Sequence, residues 1–344
     1  MVAMRRMQWW GLLVLAFASG GTWAQTPTPQ QDAQQQAVVE ALTRAHAAVV
    51  GVQVEAAEGA RSAETLGRLR SGSGVVIAPD GLILTIGYLT LEADSIQVVT
   101  ADNRTWPARA VAYDPATGFG LVRPLLPLPG VLPVPLGTAA DVERGEPLMG
   151  AVGGADAGVG VLQLVDKRPF SGYWEYHIDT ALFTSPPLSN HSGAPLFNRR
   201  GELLGIGSLF VMDAAGEDRR LPGNMFVPVE LLKPILEELQ QTGTTRQARR
   251  PWLGLTSTGQ GGRVQVVRVS RDSPAEAAGL RVGDVVLAVD DQRVATLEEF
   301  YKRIWAHRNP DDEVRLTIQQ GEQVKAVSVK AVDRMTTMVK PAGI

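Results

Sequence analysis

The segment SNHSGAPLFN, residues 189–198, places Ser192 among small and polar residues, where its hydroxyl could act as a nucleophile. A serine hydroxyl is a poor nucleophile at neutral pH, so a positioned base must take its proton during attack. Histidine is the side chain most often used as that base. Function therefore depends on whether a histidine can reach Ser192. The chain has four histidines: His46, His177, His191 and His307.

None of the four histidines is placed by sequence where a base is needed. His191 is adjacent to Ser192, but neighbouring side chains of an extended segment point to opposite sides, so we expect His191 to face away. His177 lies in the strand-like segment YWEYHID, and His46 and His307 lie in helical patterns. Their scattered spacing also predicts no metal site, and no cofactor motif is present.

Composition describes a folded chain with room for two domains. It has 344 residues, of which 44% are hydrophobic and 20% charged. The excess of acidic over basic residues argues against a nucleic-acid partner, because such partners require positive surface. Cysteine is absent, so the fold has no disulfide and no lipid-modified cysteine.

The first 24 residues have the layout of a secretory signal peptide. Arg5 and Arg6 precede a short apolar run, residues 9–18, and small residues flank Trp23 before the expected cleavage after Ala24. This predicts export to the periplasm; the alternative is an uncut anchor. We expect no integral membrane span after signal removal, because no later segment is long and apolar enough. Residues 25–36 predict a flexible polar leader, and residues 335–344 a loose tail.

The remaining chain divides into two regions. Short β-rich runs between residues 72 and 210, separated by Gly, Pro, Asn and Asp, predict an antiparallel barrel or sandwich. A helix in PVELLKPILEELQQTG closes a first domain, residues 37–240, and residues 241–250 predict a linker. A second domain, residues 251–334, reads as a small, partly open barrel with two helices. Ser273 should cap the first of these helices and Gly279 should end it.

These motifs, taken in order, resemble the HtrA-type (Deg) trypsin-like serine proteases. GSGVVIAPDGLILT, YDPATGFGLV and SGAPLFNRRGELLGIG are similar to their protease segments, and PWLGL with SPAEAAGLRVGDVVLAVDDQRV is similar to their PDZ domain. The resemblance covers about residues 37–333. It implies a mainly β fold, a trypsin-like double β-barrel followed by a small α+β PDZ domain.

The resemblance implies a Ser-His-Asp triad, of which one member is retained. Ser192 occupies the nucleophile position. Tyr88 stands at the histidine position and Gly118 at the aspartate position. Asn190 replaces the glycine of the oxyanion hole, whose donors would be the backbone N–H groups of Asn190 and Ser192. Asn190 tolerates the required positive φ better than most residues do.

No other residue replaces the missing base. The reference pKa of tyrosine is about 10, and we interpret Tyr88 as a packed, half-buried aromatic. Asp114 reads as a turn residue, and Asp179 has no histidine to orient. The hypothesis is therefore a protease fold without protease turnover. The alternatives are a weak or atypical serine endopeptidase that uses Ser192, and a structural subunit of an envelope complex with the PDZ domain as docking module.

The resemblance places peptide binding in the second domain. PDZ domains accept a peptide as an added strand, and a hydrophobic-Gly-hydrophobic loop holds the terminal carboxylate. Here that loop is Leu253, Gly254 and Leu255. The ligand would be an apolar C-terminus or an extended segment of an unfolded exported protein. A second partner would be an active HtrA-type relative.

The helix after the loop would supply the side-chain pocket. Phe300 and Ile304 are the residues we assign to that pocket. The alternative is that they belong to the core, because they lie in an apolar stripe at helical spacing. That stripe comprises Leu297, Phe300, Tyr301 and Ile304.

Overall fold

The computed structural model describes residues 29–216 and 219–339, and its architecture confirms the predicted fold class. Two closed antiparallel barrels are followed by a third, open sheet with two helices. The proposed signal peptide lies outside the described residues. Within the described residues, no helix has the length and apolar content required to cross a bilayer.

Helix α1, Pro29–Ala47, precedes the first barrel and begins inside the segment predicted to be a flexible leader. That prediction was wrong for the leader's last residues. Glutamine and alanine favour helix strongly enough to extend it. Ala41 and Ala45 are buried, and both lie close to Gly201 in a turn of the second barrel.

The first barrel has six strands in the order β1-β2-β3-β6-β5-β4. Its strands are rich in Val, Ile and Leu, and their buried side chains fill the interior. A short helix, α2 (Ala63–Leu66), lies between the first two strands. The strands are β1 (Val49–Ala56), β2 (Leu69–Val76), β3 (Ile83–Ile86), β4 (Ala93–Val99), β5 (Thr105–Tyr113) and β6 (Phe119–Pro124).

The second barrel repeats this architecture in the order β10-β11-β12-β9-β8-β7. Its longest feature is the hairpin of β8 and β9, joined by a turn at residues 173–175. The strands are β7 (Pro147–Val152), β8 (Gly158–Gly172), β9 (Tyr176–Ser185), β10 (Pro195–Phe197), β11 (Leu203–Val211) and β12 (Gly223–Pro228).

The helix predicted to close the first domain is interrupted. A 3₁₀ turn, Val229–Leu231, is followed by α3, Leu236–Thr242. Pro234 lies between them and has no N–H to donate, so one continuous helix cannot form there. Gly243 ends α3 with a φ of 77°, as a left-handed C-terminal residue.

The third sheet has the order β14-β15-β16-β18-β19, with β14 at one edge. Ser273 caps α4 by accepting a hydrogen bond from the Glu276 N–H, as predicted, and Gly279 follows it with a φ of 79°. The elements are β13 (Pro251–Trp252), β14 (Leu255–Gln260), β15 (Arg263–Val269), α4 (Pro274–Ala277), β16 (Val285–Val289), β17 (Gln292–Arg293), α5 (Leu297–Ile304), β18 (Glu313–Gln320), β19 (Gln323–Lys330) and β20 (Val332–Asp333).

The segment predicted to be a linker and the described part of the predicted tail, residues 335–339, both make specific contacts. Thr245 is buried and donates to the Asp114 carboxylate at 2.8 Å. The Arg250 guanidinium lies 3.5 Å from the ring centroid of Trp305. In the tail, the Val339 N–H donates to Glu92 at 2.8 Å. Each of these three contacts joins the segment to a residue of one of the two domains.

Candidate functional site

The loop that carries Ser192 is a tight turn fastened to the first barrel. The Ala194 N–H donates to the His191 carbonyl at 3.0 Å, which closes the turn, and the Ser73 N–H in β2 donates to the Ser192 carbonyl at 2.8 Å. Gly193 has a φ of 73°, and an added Cβ would lie 2.0 Å from the Ser73 carbonyl oxygen. Only glycine fits this position, so the turn presents Ser192 in one fixed place.

Tyr88 lies on a 3₁₀ turn, Gly87–Thr90, that follows β3. The buried Arg70 side chain holds this turn, because its Nη1 donates to the Tyr88 carbonyl at 3.2 Å and to the Leu91 carbonyl at 2.7 Å. Its Nη2 donates to Ser62 Oγ at 2.8 Å. Arginine has five fixed donors, so one side chain can satisfy several carbonyls and position the tyrosine.

The Tyr88 hydroxyl makes direct contact with the Ser192 hydroxyl. The two oxygens are 2.7 Å apart, and Tyr88 Oη also lies 3.0 Å from the Ser208 carbonyl oxygen in β11. A carbonyl can only accept, and a phenol has one proton to donate. Both contacts are hydrogen bonds when Tyr88 donates to Ser208 and Ser192 donates to Tyr88. In that arrangement the serine proton points at a neutral phenol oxygen.

The neutral phenol is a poor acceptor for the serine proton. Burial raises the pKa of Tyr88 to about 12. At pH 7 the phenolate therefore makes up roughly 10⁻⁵ of the population. A phenolate would also lose its hydrogen bond to the Ser208 carbonyl and face that oxygen as a negative charge.

The backbone conformation of Gly118 would strain an aspartate in its place. Its φ is 87°, and an added Cβ would lie 3.4 Å from the Tyr176 hydroxyl oxygen. The Gly118 carbonyl accepts a hydrogen bond from Gly87 N–H at 2.7 Å, which ties it to the turn that carries Tyr88. Tyr176 donates to the Thr117 carbonyl at 2.6 Å. A buried tyrosine therefore lies beside the position of the triad carboxylate.

Asp114 behaves as the turn residue that its sequence context predicts. Its carboxylate accepts from the Thr117 N–H at 2.9 Å and from the Thr117 hydroxyl at 2.6 Å. The other oxygen accepts from Thr245. With these three donors, the carboxylate holds the loop before β6.

None of the four histidines forms a hydrogen bond with the Ser192 hydroxyl in the described part of the chain. Within the described residues, Ser192 Oγ has one hydrogen-bond partner, the Tyr88 hydroxyl. Burial lowers the pKa of His191, the neighbour of Ser192 in sequence. His177 lies in β9, as expected of a sheet residue, with Ser171 Oγ 2.8 Å from its Nδ1. His307 lies beside Asp290 at 2.7 Å, and His46 lies in α1.

One cluster has the residue types of a metal site. His177, Asp179 and Glu298 offer ligand atoms within 4.8 Å of one another. The Lys302 ammonium already lies 2.7 Å from Asp179 and 2.9 Å from Glu298. The ammonium lies between the two carboxylates, so the cluster is an ion-pair group that links α5 to β9.

Asn190 does not have the positive φ that a glycine at this position could adopt. Among the described non-glycine residues, those with positive φ lie elsewhere in the chain. The Asn190 side-chain amide donates to the Asp156 carboxylate at 2.8 Å. The assignment of the Asn190 and Ser192 backbone as an oxyanion hole stays a prediction.

The predicted carboxylate-binding loop holds a carboxylate that belongs to the chain itself. Glu175, in the turn between β8 and β9, accepts from the N–H groups of Leu253 (3.0 Å), Gly254 (2.7 Å) and Leu255 (2.8 Å). Burial raises the pKa of the Glu175 carboxyl, and the three N–H donors oppose that shift. Sequence reasoning found the loop and missed Glu175, because a glutamate in a hairpin turn carries no signal of a distant partner.

The structure places Phe300 and Ile304 in the core of the second domain. Both are 0% exposed and pack against the sheet, as the core alternative describes, and their assignment to a peptide pocket stays a prediction. On the same helix, Tyr301 faces the end of β8, where its hydroxyl donates to the Gly172 carbonyl at 2.8 Å. An amphipathic helix buries the centre of its apolar stripe, and only its edge reaches a neighbouring surface.

Comparison with known proteins identifies both regions. The trypsin-like peptidase domain model matches residues 72–206, and the PDZ domain model matches residues 251–331. The first match begins within β2 and ends within β11, so it covers most of the two barrels, and the second match covers the third sheet with its helices.

The relatives are serine endoproteases. A probable periplasmic serine endoprotease DegP-like from Ectopseudomonas mendocina (strain ymp) is 28% identical over 65% of this chain and 48% of its own length. The serine endoprotease DegS of Haemophilus influenzae is 26% identical over 75% of this chain and 76% of its own. The chain spans about half the length of the first of these relatives.

Solved structures agree on the fold. A structure of the HtrA-type protease AlgW with a tripeptide superposes with a TM-score of 0.52 at 20% identity, over 86% of this chain and 96% of the other. At that identity the likeness establishes the arrangement of barrels and PDZ domain only.

Proposed function

This chain is an HtrA-type protein, a trypsin-like peptidase domain followed by a PDZ domain, and we propose that it captures peptides without hydrolysing them. The observation that carries the proposal is the 2.7 Å contact between Tyr88 Oη and Ser192 Oγ. At the place where an active serine protease has an imidazole, this protein has a neutral phenol. Ser192 remains, but no proton acceptor of useful basicity faces it.

The expected loss of rate is large. Removal of the base from a serine-protease triad costs on the order of 10⁴-fold or more in turnover, and loss of a second member adds little because the triad acts as a unit. Residual catalysis then comes from substrate binding and oxyanion stabilisation alone. A protein with Tyr88 and Gly118 at the two positions falls in this class.

Peptide capture is the activity that remains. Leu253, Gly254 and Leu255 turn three backbone N–H groups toward one carboxylate, which is the geometry required for a peptide C-terminus. The β14 edge beside this loop can accept an extended chain. The AlgW structure with a tripeptide supports a peptide ligand for this type of protein.

The proposed setting is the bacterial periplasm. Residues 1–24 have the layout of a secretory signal, and the DegP-like relatives are named as periplasmic. The ligands would be C-termini or extended segments of exported proteins of the envelope, in quality control or on a scaffold. An active HtrA-type relative is a further partner of the same class.

The test follows one peptide through both steps. A peptide with an apolar C-terminal residue and a free carboxylate is titrated against the purified chain, with its amidated form as control. The same peptide is then incubated with the chain for a long time, and its mass is measured by mass spectrometry. We expect binding that depends on the free carboxylate, and recovery of intact peptide. Equal binding of both forms contradicts the carboxylate site, and cleavage that disappears in Ser192→Ala contradicts capture without hydrolysis.

A further inference from the structure

The three N–H groups that would hold a peptide C-terminus are occupied by Glu175 of the second barrel. The Glu175 side chain is 6% exposed, and its φ of 56° turns the backbone so that the carboxylate enters the loop. Positive φ at a glutamate is uncommon, and it persists only where surrounding contacts stabilise it. This contact is therefore a built feature of the domain interface.

The backbone beside Glu175 occupies the place of an added peptide strand. The Ser257 N–H, in edge strand β14, donates to the Tyr173 carbonyl at 2.9 Å. On the opposite wall, the Tyr301 hydroxyl of α5 donates to the Gly172 carbonyl at 2.8 Å. The turn thus lies between β14 and α5, which is where strand addition places a ligand in a PDZ domain.

We propose that Glu175 is an internal ligand of the PDZ domain, so that an external peptide C-terminus binds only after the β8–β9 turn leaves the groove. The proposal rests on the proposed peptide-binding function and adds its regulation. A tethered carboxylate competes at a high effective concentration. The apparent affinity for external peptide falls by the fraction of molecules in which the groove is open.

The β8–β9 turn makes fewer hydrogen bonds with β14 than an added peptide strand could make, so an external peptide can displace it. A single backbone hydrogen bond joins β14 to the turn at Tyr173, whereas an added strand can pair along the whole edge. Ser257 Oγ is buried and makes no hydrogen bond to the described residues. The remaining polar links include exposed ion pairs such as Arg61–Asp272 and Arg268–Glu64, which contribute little.

The first experiment compares peptide affinity in matched variants of the full chain. Glu175→Ala removes the internal carboxylate, and Glu322→Ala makes the same charge change at an exposed turn between β18 and β19. The probe is a decapeptide with an apolar C-terminal residue and a free carboxylate. We expect Glu175→Ala to bind it roughly tenfold tighter or more, because the closed fraction is lost, and Glu322→Ala to match the unmodified chain.

The outcomes separate this inference from the proposed function. Equal affinity of Glu175→Ala and the unmodified chain overturns the internal ligand and leaves peptide capture intact. Failure of every variant to bind the probe overturns peptide capture. Tyr301→Phe removes the Gly172 contact without changing the carboxylate, and we expect it to shift affinity in the same direction by a smaller factor.

A second measurement needs no peptide. Hydrogen exchange at the amides of residues 253–255 should be slow in the unmodified chain, because all three donate to Glu175, and faster in Glu175→Ala. Exchange that is unchanged by the substitution overturns the proposal, whatever the peptide does.

Discussion

The hydroxyl oxygens of Tyr88 and Ser192 lie 2.7 Å apart, and the next neighbour of Tyr88 Oη, 3.0 Å away, is the Ser208 carbonyl oxygen. The second contact determines the direction of the first. Because the carbonyl takes the only phenol proton, the serine hydroxyl donates to Tyr88. The contact that occupies the nucleophile therefore also connects the first barrel to the second.

Tyr88→Phe should destabilise the protein without activating it. The substitution leaves the Ser208 carbonyl and the Ser192 hydroxyl without their partner, so we expect the free energy of unfolding to fall by about 1–2 kcal/mol. Urea denaturation measures this. Tyr173→Phe is the matched control at a side chain that is 57% exposed, and it should change stability by less than about 0.5 kcal/mol. Serine-dependent hydrolysis that appears in Tyr88→Phe would contradict the assigned role of the tyrosine.

The ionisation of Tyr88 should occur far above neutral pH. Burial raises its pKa from 10.0 to about 12 in the folded state. The protonated form is thus favoured by folding, and the stability that depends on it is complete below about pH 10 and is lost as pH rises toward 12. The tyrosinate difference spectrum between the unmodified chain and Tyr88→Phe reports this ionisation. A midpoint at or below pH 10 would contradict the burial argument.

Tyr88→His should increase the reactivity of Ser192, because it returns an imidazole to the turn that faces the serine. We expect more fluorophosphonate adduct than in the unmodified chain, and none when Ser192→Ala is combined with it. The gain should be limited, since no carboxylate orients the ring. An adduct no greater than that of the unmodified chain shows that the lack of a base is not what silences Ser192.

Gly118→Asp, which places a carboxylate at the position assigned to the triad aspartate, should lower the free energy of unfolding. At a φ of 87° an aspartate adopts a strained backbone, and its Cβ lies 3.4 Å from Tyr176 Oη. We expect a loss of about 1–3 kcal/mol in the free energy of unfolding. Thermal denaturation with Gly145→Asp as control is informative, because Gly145 has a φ of 82° and open space around it. Equal losses assign the cost to the backbone alone; a greater loss at Gly118 assigns the remainder to Tyr176.

Replacement of Arg70 should lower the free energy of unfolding more than replacement of an arginine in an exposed ion pair. Arg70→Met removes the donors to Tyr88, Leu91 and Ser62, and we expect a loss of about 2–4 kcal/mol. Arg68→Met breaks only the exposed pair with Glu55 and should cost less than about 1 kcal/mol. Similar losses in the two variants would contradict a positioning role for Arg70.

The fold and the reacting position were accessible from sequence for clear reasons. Strand patterns with Gly and Pro interruptions are local signals, and so are the cap at Ser273 and the turn glycine Gly193. The assignment of Tyr88 and Gly118 to the histidine and aspartate positions rests on the ordered motifs that fix the alignment around them. Sequence also placed the carboxylate-binding loop, since its pattern of apolar residue, glycine and apolar residue is contiguous.

The remaining features depend on contacts between distant segments. Glu175 and Gly254 are far apart in the chain, and nothing in either segment indicates the other. The same holds for Thr245 and Asp114, which fix the predicted linker, and for Val339 and Glu92, which fix part of the predicted tail. Phe300 and Ile304 were assigned to a pocket because helical periodicity gives a face but does not say which neighbour covers it.

The most direct test of the central claim is the reaction of Ser192 with a fluorophosphonate at neutral pH, followed by intact-protein mass spectrometry. Ser192→Ala serves as the control, and an active serine protease as the reference for rate. The account predicts that the unmodified chain and Ser192→Ala remain equally unlabelled while the reference reacts fully. Stoichiometric labelling of Ser192 at the rate of the reference would show that a base reaches this serine and would contradict the account.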